Sequence, residues 1–198
     1  MPRTILVYDT ETTGMWDSKA PPIADHQPHI VQLAFALFSD GIPVRSEAYL
    51  IKSDFKSDPG AEAVHGKTME ARNEFGVSYL RAMKSFISAV QCAQLCVAHN
   101  EAFDSKVINR ALMYVEPFVE EKEHPTFTFG SVTSFCTMNA STSLCALPGS
   151  RGGYKWPKLI EAYRLLVDPK GFDGAHDALA DVMACAKLYF KLKEMGHA

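Results

Sequence analysis

Hydrophobic and polar positions in the first third of the chain follow the spacing of strands. Residues 4–8 form an apolar run typical of a short buried strand. The segment "HIVQLAFALFSDGIPVRSEAYLI" predicts two further strands joined by a turn at Ser39-Asp40-Gly41. Between them, "MWDSKAPPIADHQPH" is rich in proline and polar residues and indicates a loop. The chain therefore begins with three strands.

Helical spacing then takes over. We expect helical structure over "GAEAVHG", "TMEARNEFG" and the amphipathic run "VSYLRAMKSFISAVQC". "QLCVAH" indicates another buried strand, and "NEAFDSKVINRALMYV" indicates a helix with Asn100 as its N-cap.

The last third of the chain is predicted from weaker signals and ends in two helices. Residues 117–135 predict a loop with a strand near 126–135, and "CTMNASTSLC" a short helix. Pro157 suits the first turn of a helix over "KLIEAYRLLV", and a final helix covers roughly Asp177 to Glu194. This order of elements predicts an α/β fold, a mixed sheet flanked by helices, in one domain covering residues 1–198.

Composition and charge narrow the functional classes. Hydrophobic residues make up 47% of the 198 residues, enough for a packed core. The formal charge of −3 argues against broad duplex binding but leaves room for a local nucleotide site. The five cysteines are odd in number and lie mostly among apolar residues, which indicates a reduced, cytoplasmic protein. No stretch has the length of a membrane helix or a secretory leader, so no membrane partner is expected.

Two acids close the first predicted strand, in "ILVYDTETTG". Asp9 and Glu11 are two residues apart, so on an extended backbone they point to the same side. Carboxylates held together repel each other unless a positive charge lies between them. The pattern fits either a solvated turn at a strand end or half of a metal site.

Two later segments place further acids at comparable positions. Asp104 follows the strand of "CVAHNEAFD", and Asp181 lies among small and apolar residues in "AHDALADVMACA". If both were helical, His176 and Asp181 would lie about 140° apart, so the histidine must precede or open the helix for both to face one site. Each also has a simpler interpretation: Asp104 as a first-turn acid, Asp181 as a solvated helix residue and His176 as a capping histidine.

Taken together, these segments resemble a known family. "DTETTG", "AHNEAFD" and "HDALAD" resemble the three motifs of DnaQ-like 3′–5′ exonucleases, in the DEDDh subclass whose third motif is His-x4-Asp. "AVHGKT" resembles the His-Gly segment between the first two motifs. The resemblance runs from residue 4 to about 190 and implies an RNase H-like, five-stranded mixed sheet flanked by helices.

The resemblance also implies a mechanism. Asp9, Glu11 and Asp181 would hold one ion, and Asp9 would bridge to a second that Asp104 supports. Carboxylates without thiolates favour Mg²⁺ or Mn²⁺, and the resemblance implies two such ions. His176 would be the general base in hydrolysis that releases nucleoside 5′-monophosphates.

Substrate contacts are implied less directly. In the family, Thr12 would hold the terminal ribose, Met15 would wedge against the last bases, and His65 would lie near the terminal nucleotide. Phe103 fits either base stacking or core packing, and Asn100 either a helix cap or a substrate contact. Trp16 and the basic segment "SRGGYKWPK" fit either nucleic-acid contacts or ordinary loop structure.

Four functional hypotheses follow. The leading one is a metal-dependent 3′–5′ exonuclease acting on single-stranded 3′ ends, with DNA as the expected substrate. An exonuclease for RNA or short oligonucleotides shares the chemistry and differs in recognition of the 2′-hydroxyl. A catalytically inactive nucleic-acid-binding module and a structural calcium-binding domain are less well supported. No polymerase domain is recognisable, so a proofreading role would require a separate partner.

Overall fold

The computed structural model describes residues 4–115, 132–150 and 152–198. In chain order the strands are β1 (Thr4–Thr12), β2 (Ile30–Ser39), β3 (Ile42–Leu50), β4 (Leu95–Ala98) and β5 (Ser134–Cys136). The helices are α1 (Pro59–His65), α2 (Met69–Phe75), α3 (Tyr79–Gln91), α4 (Glu101–Val115), α5 (Thr137–Cys145), α6 (Leu159–Leu166) and α7 (Ala178–Glu194).

The five strands form one mixed sheet in the order β3-β2-β1-β4-β5. β1, β2 and β3 pair antiparallel, while β4 runs parallel to both β1 and β5. This mixed sheet, flanked by helices, confirms the predicted α/β class and the RNase H-like architecture. It also makes β1 the central strand.

The tight connection between β2 and β3 confirms the predicted hairpin. Asp40 and Gly41 both have positive φ, 50° and 81°. Such a backbone suits a two-residue turn between antiparallel strands, and aspartate and glycine tolerate it.

β1 is longer than predicted, because it continues past the apolar run to Thr12. β2 pairs with it along its whole length, with Asp9 opposite Ala34 and Glu11 opposite Gln32. The two acids therefore lie within a hydrogen-bonded strand, not in a turn after it. The apolar pattern ends at Tyr8, but pairing with β2 continues to Thr12. The hydrophobic pattern alone therefore predicted too short a strand.

The strand expected near 126–135 is described only at its end, as β5; residues 116–131 lie outside the described residues. Asn100 directly precedes α4 with φ of 73°, a left-handed conformation that asparagine tolerates. In the described part of the chain, every helix falls short of the length and hydropathy needed to cross a bilayer.

Helices cover both faces of the sheet. Leu6, Tyr8 and other residues of one face pack against α3 and α4, and Ile5 and Val7 on the opposite face pack against α7. Each face of β1 therefore packs against a different helix layer. This packing fixes the direction of the side chains at the polar end of the strand.

Phe86 on α3 offers a test of the core, because it is fully buried against the rings of Tyr8 and Phe35. Phe86→Ala should lower the free energy of unfolding by about 3–5 kcal/mol, since it removes a buried ring and leaves a cavity. The matched control is Phe75→Ala on α2, whose side chain is 72% exposed; it should change stability by less than about 1 kcal/mol. Urea unfolding measures both, and equal losses would contradict the described packing.

Candidate active site

Asp9 and Glu11 project from the end of β1 towards α7. Successive side chains on a strand alternate between faces, and Ile5 and Val7 already pack on the α7 side. The two acids continue that series. The strand therefore brings both carboxylates under the beginning of α7.

Asp181 lies in the first turn of α7, where the helix dipole favours an acid. Its Oδ2 accepts a hydrogen bond from the backbone N–H of His176, at 3.0 Å. His176 precedes the helix and has φ of 69°. One ligand atom each of Glu11, His176 and Asp181 lies within 4.8 Å of the others.

Asp104 approaches from the other face of the sheet. It lies in the first turn of α4, on the side of the helix that packs into the core, and is only 3% exposed. Its Oδ1 accepts hydrogen bonds from the backbone N–H of Thr10 at 3.1 Å and from the Thr10 hydroxyl at 2.6 Å. Thr10 lies between Asp9 and Glu11, so Asp104 contacts the same end of β1. Among the described residues, the ligand atoms within 4.8 Å of one another are those of Glu11, His176 and Asp181; Asp9 and Asp104 lie outside that group.

Burial raises the pKa of all four carboxyl groups, and repulsion by neighbouring acids raises those of Asp9 and Glu11 further. Burial, then repulsion by Asp104, Asp181 and Glu11, raises the pKa of Asp9 well above its usual range. Burial and repulsion by Asp181 raise the pKa of Glu11 to about 7, against a lowering by Lys67. Burial raises the pKa of Asp104 to about 7 despite the two hydrogen bonds from Thr10, and burial also raises the pKa of Asp181.

A cluster with these properties fits a divalent cation. The donors are carboxylate oxygens, which Mg²⁺ and Mn²⁺ prefer, and a cation would offset the repulsion that raises their pKa values. The His176 ring also lies within reach of this cluster. The same ring nitrogen cannot hold a metal and accept a proton at once.

Three of the predicted substrate residues lie near the site in sequence: Thr12 and Met15 follow Glu11, and His65 is the last residue of α1. Thr12 is buried, and its hydroxyl donates to the carbonyl oxygen of Gly14 at 2.8 Å. Met15 is 81% exposed, as a residue that contacts substrate must be. His65 is buried at the end of α1, its Nδ1 accepts from the backbone N–H of Lys67 at 2.9 Å, and burial lowers its pKa.

The remaining candidates divide between exposure and packing. Asn100 is exposed at the start of α4. Phe103 and Trp16 are partly buried against the core on the α3–α4 face. This favours core packing for Phe103 and a role in anchoring its loop for Trp16. In the basic segment, Lys155 forms an ion pair with Glu161 at 2.6 Å.

Several residues that shape the site were missed by sequence reasoning. Thr10 fixes Asp104, and Lys67 and Gln32 both donate to Asp177 Oδ2, at 3.0 and 3.2 Å. Val64, next to His65, is exposed despite its apolar side chain. Gln32 alone carried a signal, as a polar residue in an otherwise apolar strand.

Comparison with known proteins agrees with this geometry. A family model described as RNase_T, an exonuclease, matches residues 6–189. A search of curated proteins gave no match.

Solved structures of exonuclease I are similar in fold. For E. coli exonuclease I in complex with a dA16 oligonucleotide, the TM-score is 0.72 at 18% identity, covering 97% of this chain and 41% of that chain. The zinc-bound E. coli exonuclease I complex with single-stranded DNA gives 0.73 at 19%, covering 98% and 41%. Exonuclease I of Methylocaldum szegediense gives 0.72 at 18%, covering 97% and 40%. The chain thus spans about two fifths of the length of these proteins.

The raised pKa values predict an unusual pH dependence of stability. Because the folded-state pKa of Glu11 lies above its unfolded value, its contribution is fully present below pH 4.5 and is lost as the pH rises through about 7. Metal-free protein in chelator should therefore lose stability over this range, as measured by urea unfolding.

Glu11→Gln should weaken this loss and raise the free energy of unfolding at pH 8 by about 1 kcal/mol, after allowance for solvent screening. The control is Glu70→Gln, exposed on α2, which should leave the pH profile unchanged. A Glu11→Gln profile that superimposes on the wild type would contradict the described repulsion.

Proposed function

The chain belongs to the RNase_T family of exonucleases, and from this premise we propose that it is a metal-dependent 3′–5′ exonuclease for single-stranded nucleic acid, with DNA as its main substrate. It hydrolyses the terminal phosphodiester and releases nucleoside 5′-monophosphates. The observation that carries this proposal is the cluster of ligand atoms from Glu11, His176 and Asp181 at the end of β1. Asp9 is repelled by Asp104 and by these acids, and Asp104 binds the adjacent Thr10.

Asp9, Glu11 and Asp181 would hold one Mg²⁺ or Mn²⁺ ion, and Asp9 with Asp104 a second. When bound, the ions supply positive charge that stabilises the phosphoryl transition state and lowers the pKa of the attacking water. The hydrogen bonds from Thr10 support this arrangement, because they fix the Asp104 carboxylate before any ligand arrives.

His176 is proposed as the general base. Its exposed ring lies next to Glu11 and Asp181, where it can accept a proton from the attacking water. The water oxygen bonds to phosphorus, and the bond from phosphorus to the 3′-oxygen breaks. The leaving 3′-oxygen takes up a proton from solvent, so the shortened strand ends in a new 3′-hydroxyl group.

The substrate end would lie over the exposed Met15 and Val64, which flank the buried Thr12 and His65 in sequence. The formal charge of −3 supports recognition of a few terminal nucleotides rather than electrostatic contact with a long stretch of the phosphate backbone. Support for single-stranded DNA comes from the oligonucleotide complexes of the structurally similar exonuclease I proteins. Action in a reducing cytoplasm is supported by five free cysteines.

Degradation of 5′-labelled single-stranded DNA and RNA of matched sequence tests the proposal. With Mg²⁺ or Mn²⁺, the wild type should give a ladder that shortens from the 3′ end, faster on DNA. Asp9→Ala and Asp104→Asn should each lose about 100-fold or more in rate, because each removes a carboxylate that stabilises the bound ions.

Asp40→Asn in the β2–β3 turn is the matched control, since asparagine suits its positive φ, and it should keep wild-type activity. Faster degradation of RNA than of DNA would instead indicate RNA as the main substrate. If folded protein with bound Mn²⁺ released no products from either substrate, the enzyme hypothesis would be rejected in favour of a nucleic-acid-binding module.

His176→Asn separates a base from a metal ligand, and asparagine again tolerates the backbone at this position. If His176 is the base, kcat should fall about 10²- to 10⁴-fold while Mn²⁺ affinity, measured by calorimetry without substrate, stays within about twofold. A parallel loss of Mn²⁺ affinity would instead assign the ring to the metal.

A further inference from the structure

The backbone of His176 adopts a conformation that needs support. Its φ of 69° lies in the left-handed region, which L-residues other than glycine rarely adopt. It precedes α7 and is exposed, so no core packing holds its ring in place. The hydrogen bond from its backbone N–H to Asp181 Oδ2 fixes one point of this backbone. Further contacts must keep the ring beside Glu11 and Asp181.

The next residue, Asp177, supplies such contacts. Its Oδ1 accepts from the backbone N–H of Leu179 at 3.2 Å, which caps α7. Its Oδ2 accepts from Lys67 Nζ at 3.0 Å and from Gln32 Nε2 at 3.2 Å. Gln32 Oε1 in turn accepts from the backbone N–H of Ala178 at 3.2 Å.

These contacts join three segments that are distant in sequence. Gln32 lies on β2 directly opposite Glu11, and Lys67 follows α1, where its backbone N–H binds His65. The bonds span 110 residues for Lys67 and 145 for Gln32. The loop that carries His176 is thus tied to the strand pair that carries the acids.

We propose that Lys67, Gln32 and Asp177 form a clamp that positions the His176 ring over the acid cluster for the exonuclease reaction. The inference rests on the proposed function. Lys67 and Gln32 are positioning residues that act through Asp177 and the backbone of residues 176–178. Neither would contact the reacting atoms.

A helix cap with an incidental surface ion pair is the simpler interpretation, and two observations argue against it. The Lys67 side chain is only 21% exposed, and Gln32 is buried. Gln32 also binds both the Asp177 carboxylate and the following backbone N–H, which fixes the loop at two adjacent points. The Asp177 side chain is itself 43% exposed, and an exposed ion pair alone would contribute little to stability. The second contact through Gln32 therefore carries the argument.

Steady-state kinetics on single-stranded DNA test the clamp through Lys67→Met. Loss of the ion pair should lower kcat about 10- to 100-fold, because the ring leaves its productive position, while KM stays within about twofold. Lys67→Arg keeps a cation within reach of Asp177 and should restore most of kcat. Asp177→Asn keeps a capping oxygen but loses the charge, so it should resemble Lys67→Met.

The matched control is Lys191→Met, which removes the exposed Lys191–Glu194 ion pair on α7 and should leave kcat unchanged. The decisive arm repeats Lys67→Met in the His176→Asn background. If the clamp acts through His176, the second substitution should change the remaining rate less than about twofold.

The clamp would be overturned if Lys67→Met left kcat unchanged; a raised KM in that case would make Lys67 a substrate contact. It would also be overturned if Lys67→Met lowered kcat in the His176→Asn background by as much as in the wild type. If the wild type itself degrades nothing, the proposed function fails, and NMR of the histidine rings still decides the clamp. The His176 ring signals should shift in Lys67→Met and not in Lys191→Met; unshifted signals would overturn it.

Discussion

Several carboxylates are withdrawn from water and repel one another at the end of β1, and this is the constraint on which the rest of the site depends. Asp9 is repelled by Asp104, Asp181 and Glu11, and burial strengthens that repulsion by removing water. Such an arrangement does not form spontaneously from flexible side chains. The acids must be fixed by elements whose own stability is independent of the site.

The fold meets this requirement through β1. β2 pairs with it along its whole length and β4 pairs along its first half, while two separate helix layers pack on its faces. α7 then supplies Asp181 from one face, and α4 supplies Asp104 from the other. The hydrophobic core thereby stabilises a polar cluster that is unfavourable by itself. The Lys67 ammonium offsets the negative charge only in part, since the pKa of Glu11 remains raised.

The sequence predicted the elements better than it predicted their contacts. Strand and helix periodicity identified the hairpin, the amphipathic α3 and the final helix, because these patterns are local. The length of β1 was missed because its polar end is held by pairing with β2, which local hydrophobicity does not encode. The strand near 126–135 is described only at Ser134–Cys136.

For the site, the three motifs pointed to the acids and to His176, although their catalytic roles stay predictions. The supporting residues were not predicted, for a physical reason. Thr10 binds Asp104 across 94 residues and Lys67 binds Asp177 across 110, so neither contact exists before the chain folds. A threonine between two acids and a lysine after a glycine carry no local sign of these partners.

The raised pKa values of the acid cluster also have a consequence for how the site would fill. Because the pKa values of Glu11 and Asp104 are both raised to about 7, these carboxyl groups would retain protons near neutral pH when no cation is bound. A cation that enters must displace them, so loading is an exchange of protons for metal, and apparent affinity rises with pH. The heat measured on loading would then depend on the ionisation enthalpy of the buffer that takes up the protons. Under the proposed function, the cluster would therefore exchange protons with solvent whenever it binds or releases a cation.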